Sequence, residues 1–516
     1  MSESRKSLPD LPFAPSFCGL GEQIAIHGRF RPHEPALIEG DRTVDWGSYD
    51  RTGNRIGHAL IASGIQPGDR IALLAGNHLW AHEVLLGIWR AGAAAVPLSP
   101  LLDDGALQRM LEDSGAAMLL VGTDYLERAD GIAPPGTQVI REGGEFTQWG
   151  QDGAETPTGR VNAADDLALI IYSSGTTGVP KGIAHSHGSR LSFASGFAAE
   201  FRFHCHSVAL SCVPMHSNGA WLSWSPAKWM GAATVILPAF SADAFIDAIR
   251  RHRPTHGFIV PAMAAVLLAQ PGIENAGLDC FETAITAGSP MPRGVKEAVQ
   301  KLTGGALYEL WGLTEGVATI ITPQDMEQRP ESVGRPMLGC DIRIVDEHGQ
   351  DITFSGTGEI VGHSAGQMSG YWNRPDANAE LVWRDPTGWI FLRTGDLGEF
   401  DRSGYLTLRG RMKDMIISGG LNVYPVDIET VLLEHQDVHD AAVVAAPHEK
   451  WGEVPVAFIK PEPDADTDPQ LADAILEWAN ARLARHQRLH RVLIHPDDFP
   501  RNTMGKVIKA RLQEAL

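Results

Sequence analysis

Tyr172-Ser-Ser-Gly-Thr-Thr-Gly-Val-Pro-Lys-Gly182, YSSGTTGVPKG, follows Leu167-Ala-Leu-Ile-Ile-Tyr172, an apolar run that reads as a buried strand. A glycine- and hydroxyl-rich loop after a strand can form a nest of backbone N–H groups around phosphate oxygens. Gly175 and Gly178 permit close approach. Ser173, Ser174, Thr176 and Thr177 add donors, and Lys181 adds charge. This is not the G-x-x-x-x-G-K-[ST] loop of the P-loop NTPases. Pro180 stands where the second glycine belongs, and Gly182 follows the lysine where a Mg²⁺-holding hydroxyl is needed. On loop composition alone, a plain polar surface loop fits equally.

Working outward, residues 35–100 alternate between short strands and helices. Ala36-Leu37-Ile38 and Thr43-Val44 are predicted strands. Tyr49 to Ser63 is a helix ended by Gly64, Arg70 to Leu74 a buried strand, His78 to Ala91 a second helix, and Ala94 to Val96 another strand. That is βαβ material, so the class is α/β. From Val333 to Leu408 the chain is strand-rich with glycine turns. After Arg411 the texture shifts again: a helix over Asp427–Glu434, strands at Ala441–Val444, Val456–Ile459 and Arg491–Ile494, and a helix capped by Asp468-Pro469 with Leu471, Ile475, Ala479 and Leu483 on one face. Pro461 to Asp468 reads as a surface loop. Two domains are expected, 1–410 and 411–516: a large N-terminal α/β domain with a β-rich subdomain, then a small α+β domain.

The 516 residues carry a net charge of −20, which argues against a nucleic-acid surface but not against one anionic ligand in a locally basic cleft. The five cysteines are few, scattered and odd in number, as in a reducing compartment. The N-terminus lacks the apolar core of a signal peptide, and no apolar run approaches the roughly 20 residues of a membrane helix. A cytoplasmic protein is expected.

Several stretches in order resemble the adenylate-forming enzymes: acyl-CoA synthetases, nonribosomal adenylation domains and beetle luciferases. Their signature loop is S-S-G-T-T-G-x-P-K-G. Tyr308-Glu-Leu-Trp-Gly-Leu-Thr-Glu315 is similar to their Y-G-x-T-E motif, with Trp311 replacing the usual Tyr. Ser332-Val-Gly-Arg-Pro336, Gly356-Thr-Gly-Glu-Ile360 and Arg393-Thr-Gly-Asp396 match further family stretches. So do Gly410-Arg-Met-Lys-Asp414, Ile417-Ser-Gly-Gly-Leu-Asn-Val-Tyr-Pro425 and Pro500-Arg-Asn-Thr-Met-Gly-Lys506.

The resemblance implies a two-step reaction. A carboxylate attacks the α-phosphorus of ATP and releases pyrophosphate; a thiol, usually coenzyme A, then takes the acyl group and releases AMP. By the same resemblance the Ser173–Lys181 loop holds the β- and γ-phosphates, Thr314 the α-phosphate, and Glu315 helps bind Mg²⁺, a hard ion that wants carboxylate oxygen and water. Asp396 accepts the ribose hydroxyls with Arg411 at the second ribose position. Gly288, Ser289 and Pro290 flank the adenine opposite the segment Glu309, Leu310, Trp311 and Gly312. Lys506 reaches the reacting oxygens, Lys413 is the hinge, and Gly419 and Gly420 let the pantetheine arm pass. His187 falls at the family's T-H position. Without the motif, Asp396 is an ordinary turn residue and Lys506 a solvated charge.

The acid pocket should draw on His216, Ser217, Asn218, Gly219, Trp221, Met263, Ala287, Leu313 and Val317. His216 or Ser217 takes the family's histidine position. No Asp stands there to hold an α-amino group, and Arg and Lys are absent from these stretches apart from Lys228 further on. The composition fits an apolar monocarboxylate, aromatic or medium-chain, although these Trp and Met residues would serve equally as core. Free coenzyme A is the expected acceptor; a separate carrier protein is the alternative. The scattered His204, Cys205, His206, Cys212 and His216 match no zinc spacing. A competing motif, Gly362-His-Ser-Ala-Gly366, matches the G-x-S-x-G elbow of serine hydrolases and would make Ser364 a nucleophile. That needs a strand before it and a helix after it; Glu359-Ile-Val361 supplies the strand, but the glycine-rich Gln367 to Asn373 does not read as the helix.

Overall fold

The computed structural model describes residues 17–173, 180–419, 421–463, 465, 470–501 and 507–516, with only the backbone of Ser173. Ser174 to Gly178, Gly420, Lys506 and the Asp468-Pro469 cap therefore lie outside the described residues. The chain forms two large sheets with helices packed on them and two smaller, five-stranded sheets.

The seven-stranded sheet begins with the expected βαβ units. Arg70–Leu74, Ala94–Leu98, Met118–Val121 and Gln138–Arg141 run parallel. The helix Trp46–Ala62 starts a turn earlier than its apolar spacing suggests, because the Asp45 carboxylate accepts from the Ser48 N–H at 2.6 Å and caps it there. It ends at Ser63, with Gly64 at φ +91°, a left-handed conformation that L side chains resist. Leu167–Ser173 joins this sheet parallel to Ala94–Leu98, and Lys181–Ser186 returns antiparallel beside it. The glycine-rich loop thus links two antiparallel strands, not a strand and a helix. Gly370–Tyr371 adds to the edge, pairing with Ile183 and Ala184.

In the nine-stranded sheet Val208–Ser211, Ala233–Ile236, His256–Phe258, Thr283–Thr286 and Leu307–Gly312 are parallel, and Ala318–Ile321 turns back against the last of them. The strand Val208–Ser211 stops short of Pro214, which has no N–H for a ladder. A continuous core spans both sheets and includes the fully buried Trp221, Trp224 and Phe201. Each such ring adds about 2–3 kcal/mol of transfer free energy.

Cys340–Val345, Gly358–Ser364, Val382–Arg384, Ile390–Phe400 and Leu406–Arg411 make an antiparallel sheet. The last sheet has its own core around Ile428, Val443, Ala457 and Ile475. Its strands Val438–His448 and Gly452–Pro461 form a hairpin much longer than the expected Ala441–Val444 and Val456–Ile459. The helix Pro425–Leu432 begins two residues before the expected Asp427, since Pro425 is pre-set for a first helical position.

Candidate active site

Strand pairing brings the first cluster together. Lys181 opens the strand beside Gly370–Tyr371, and its Nζ lies 4.9 Å from the centroid of the Tyr371 ring. The Tyr371 hydroxyl donates to Glu315 Oε1 at 2.8 Å. Burial and the Glu315 carboxylate both push the phenol pKa well up, so it stays a donor. Thr314 and Glu315 sit in the turn between Leu307–Gly312 and Ala318–Ile321. That turn lies against the loop after Ser364: Met368 N–H donates to the Glu315 carbonyl at 2.9 Å. Gly316, at φ +109°, is needed for the approach, since a Cβ there would stand 2.4 Å from Gln367 Cα. One oxygen of Glu315 is thus steadied by Tyr371, leaving the other for a cation. Among the described residues no three His, Cys, Asp or Glu side chains gather as a metal cage. A single carboxylate suits Mg²⁺, which is commonly held by one or two carboxylates, substrate phosphates and water.

A second cluster forms around Asp396, which pairs with Arg411 across two antiparallel strands. Arg411 Nε lies 2.9 Å from Asp396 Oδ1, and Trp311 Nε1 donates to Oδ2 at 3.2 Å. The carboxylate is 8% exposed; Trp311 hydrogen-bonds one oxygen, and Arg411 faces the other as an ion pair without an aligned hydrogen bond. Trp311 lies in Leu307–Gly312, where side chains alternate between faces. Leu310 and Gly312 accordingly line a cavity, while Trp311 reaches Asp396. Glu309, expected beside the nucleotide, forms an ion pair with Lys296 at 2.5 Å instead.

The cavity has a volume of about 140 Å³. Phe193, Phe197, Leu222, Phe258 and Met337 make it largely apolar, and Gly288, Leu313, Thr314 and Val317 close it toward the Thr314–Glu315 turn. Of the residues expected to form an acid pocket, Asn218, Gly219, Ala287, Leu313 and Val317 line it. His216, Ser217, Trp221 and Met263 lie off its wall. Trp221 opens a helix with its indole packed on Trp89 and Trp224 and its Nε1 donating to Met215 O at 3.0 Å. Met263 packs in the core beneath the nine-stranded sheet. Burial drives the His216 imidazole down to about 4, so it stays neutral. His187, likewise held near 4 by burial, lies against Trp89.

One residue behind the wall has no counterpart in the sequence reading. Arg190, 2% exposed, lies under Phe193 and Trp221 and hydrogen-bonds Asn218. The absence of Arg from the neighbouring stretches of sequence therefore does not mean a site without a guanidinium close by. The signal available in the sequence was a lone arginine in a stretch of mostly small and apolar residues, His187–Glu200, HGSRLSFASGFAAE.

Ser364 closes the strand Gly358–Ser364 and lines the same cavity, but its hydroxyl donates to the Gly316 carbonyl. His363 points to the other face and bonds the Ile390 carbonyl at 2.9 Å. A turn, not a helix, follows the serine. The elbow geometry of a hydrolase is absent from these residues.

Farther along, Lys413 lies in a short 3₁₀ turn, Met412–Asp414, directly after the Asp396–Arg411 pair. Gly419, at φ +60°, donates to the Trp451 carbonyl at 2.8 Å, and a Cβ there would stand 2.7 Å from the Trp451 ring. Among the described residues no helix is long and apolar enough to cross a membrane.

Comparison with known proteins bears on this arrangement. The AMP-binding enzyme family model matches residues 25–372, and the model of the AMP-binding enzyme C-terminal domain matches residues 427–506. The chain is 30% identical to the fatty acid–[acyl-carrier-protein] ligase ScoC of Streptomyces coeruleorubidus, over 97% of each chain. It is 31% identical to a feruloyl-CoA synthase of Amycolatopsis sp, over 96% of this chain and 98% of the relative. Among solved structures, ATP-bound MatB from Rhodopseudomonas palustris superposes with a TM-score of 0.87 at 27% identity, covering 96% of this chain and 98% of that one.

Proposed function

The chain belongs to the AMP-binding enzymes, as a member of the AMP-forming acid–CoA ligase family, and we propose that its own reaction joins an apolar monocarboxylic acid to coenzyme A through an acyl-adenylate. The observation that carries this reading is the placement of Leu307–Gly312 and the turn after it. One face aims Trp311 at Asp396, the other walls an acid-sized apolar cavity, and Thr314 and Glu315 stand between the two.

In this account Asp396 accepts the ribose hydroxyls of ATP, with Arg411 and Trp311 fixing its direction, and Gly288, Ser289 and Pro290 face the adenine. Lys181, with the loop before it, and Thr314 surround the phosphates. Glu315 would hold Mg²⁺, and the ion would supply positive charge to offset that of the phosphates. Such pre-placed donors and cations need no reorganisation as charge develops. The acid lies in the cavity with its carboxylate toward Thr314. A carboxylate oxygen bonds to the α-phosphorus as the bond to pyrophosphate breaks, and Lys506 steadies both oxygens. The domain formed by residues 411–516 then turns about Lys413 and presents the Gly419-Gly420 loop. The sulfur of coenzyme A, its proton lost to solvent, bonds to the acyl carbon, and the carbon–oxygen bond to AMP breaks.

A carrier protein in place of coenzyme A is the second reading, supported by the full-length similarity to ScoC. Acid labelled with ¹⁸O in the carboxylate tests the chemistry. The adenylate route delivers one label to AMP; label in inorganic phosphate, or none in AMP, contradicts it.

A further inference from the structure

Asn218 lines the cavity, and its Oδ1 accepts from Arg190 Nη1 at 3.0 Å. A guanidinium only donates, so this contact fixes which way round the amide lies. What Asn218 then has left to offer is its NH₂ group, a donor in a largely apolar enclosure whose other polar side chains are the hydroxyls of Ser192, Thr314 and Ser364 and the Cys340 thiol.

Arg190 is itself held with little freedom. Its guanidinium carbon lies 4.0 Å from the Phe193 ring centroid and 4.6 Å from that of Trp221. Its Nε and Nη2 have no partner among the described residues. Arg190 is not among the cavity-lining residues, and Phe193 and Asn218, which are, both contact it. Burying a cation this way costs several kcal/mol. The arrangement brings the cation's hydrogen bond to the amide and not its charge to the cavity. Ser364, another polar side chain of the wall, already donates to Gly316.

The geometry points to Asn218 as a specificity-determining donor and Arg190 as the residue that positions it, selecting acids of about ring size that carry a neutral hydrogen-bond acceptor: a hydroxyl, methoxy or keto oxygen. This inference rests on the acid-activating reading above. The size follows from the volume: a cavity of about 150 Å³ takes up benzene, and this one is about 140 Å³. The acceptor follows from the donor, because a site built to hydrogen-bond its substrate leaves a buried polar group unpaired when an analogue lacks the partner. A second carboxylate on the acid is disfavoured, since the guanidinium that would neutralise it stands behind the wall.

The test measures acid-dependent pyrophosphate release by the full-length enzyme. The acids are matched benzoates and phenylacetates bearing hydrogen, methyl, hydroxyl, methoxy or acetyl at each ring position, with alkanoic and dicarboxylic acids alongside. The best acceptor-bearing acid should exceed its methyl analogue in kcat/KM by about tenfold, the range of one hydrogen bond made against one left unpaired. Asn218→Leu should bring that ratio to one or below. Asn218→Asp, which can only accept, should lose the preference for methoxy and keto acids but keep it for hydroxyl acids. Arg190→Met frees the amide to turn over and should reduce the ratio more than it reduces kcat/KM for the methyl acid. If Arg190→Met does not fold, the two Asn218 variants decide. A wild-type preference for alkanoic or dicarboxylic acids, or a ratio unchanged in Asn218→Leu, overturns the inference while leaving acid activation intact. Pyrophosphate release with no acid at all would remove the reading it rests on, and this inference with it.

Discussion

Replacing Trp311 by Phe keeps an aromatic face for the adenine and removes one hydrogen bond, from Nε1 to Asp396 Oδ2 at 3.2 Å. A bond to a charged group is worth about 1.5–3 kcal/mol net. The longer end of the distance range and the remaining hold of Arg411 on Oδ1 at 2.9 Å place the loss at the lower end. That corresponds to about a tenfold rise in KM for ATP. If the effect runs through the ribose contact, it should vanish for 2′,3′-dideoxy-ATP, which has no hydroxyls for Asp396 to accept. Pyrophosphate release against each nucleotide, for wild type and Trp311→Phe, gives the four numbers needed. Equal losses for both nucleotides would show that the indole acts by stacking alone. No loss for ATP would show that its bond to Asp396 does not matter for the nucleotide.

Gly419→Ala should slow thioester formation by about tenfold or more while adenylate formation changes little, because its φ of +60° and the Trp451 ring 2.7 Å from a new Cβ both resist the substitution; single-turnover transfer from a supplied acyl-adenylate measures it. Lys506→Ala should lose adenylate formation yet still pass a supplied adenylate to coenzyme A, and Lys413→Pro should slow the thiol step far more than adenylation by stiffening the backbone there; the two half-reactions assayed separately check both. Lys228 is fully buried, and burial lowers its pKa from 10.5 to about 7. The unfolded chain therefore holds the extra proton between pH 7 and 10.5, so stability should rise with pH across that window, with the penalty, on the order of 5 kcal/mol, fully present below 7. Lys228→Met should accordingly raise Tm more at pH 6 than at pH 10; an equal rise at both would mean that the ammonium is hydrated.

What the sequence made legible was contiguous. The βαβ rhythm of residues 35–100 shows in local spacing, and the Thr314–Glu315, Asp396 and Gly419 stretches are each legible as short contiguous motifs of the family they resemble. The features that shape the site come instead from packing. Trp311 and Asp396 are 85 residues apart, and Arg190 and Asn218 are 28 apart, and neither pair carries a periodic signal. The cavity wall draws Phe193, Met337 and Cys340 from separate elements. Trp221 and Met263 were read as substrate contacts because they are large and stand near the right motif; their neighbours on the helices Trp221–Met230 and Pro261–Leu268 turn them into the core instead.

The most direct test of the whole account is release of pyrophosphate from ATP and Mg²⁺ across a panel of carboxylic acids, with and without coenzyme A, with AMP and thioester followed in the same reactions. The account predicts acid-dependent release, with AMP and an acyl-CoA appearing together once coenzyme A is present. Adenylate that never becomes a thioester with free coenzyme A would contradict the choice of acceptor and favour a carrier protein, and no release with any acid would contradict acid activation itself.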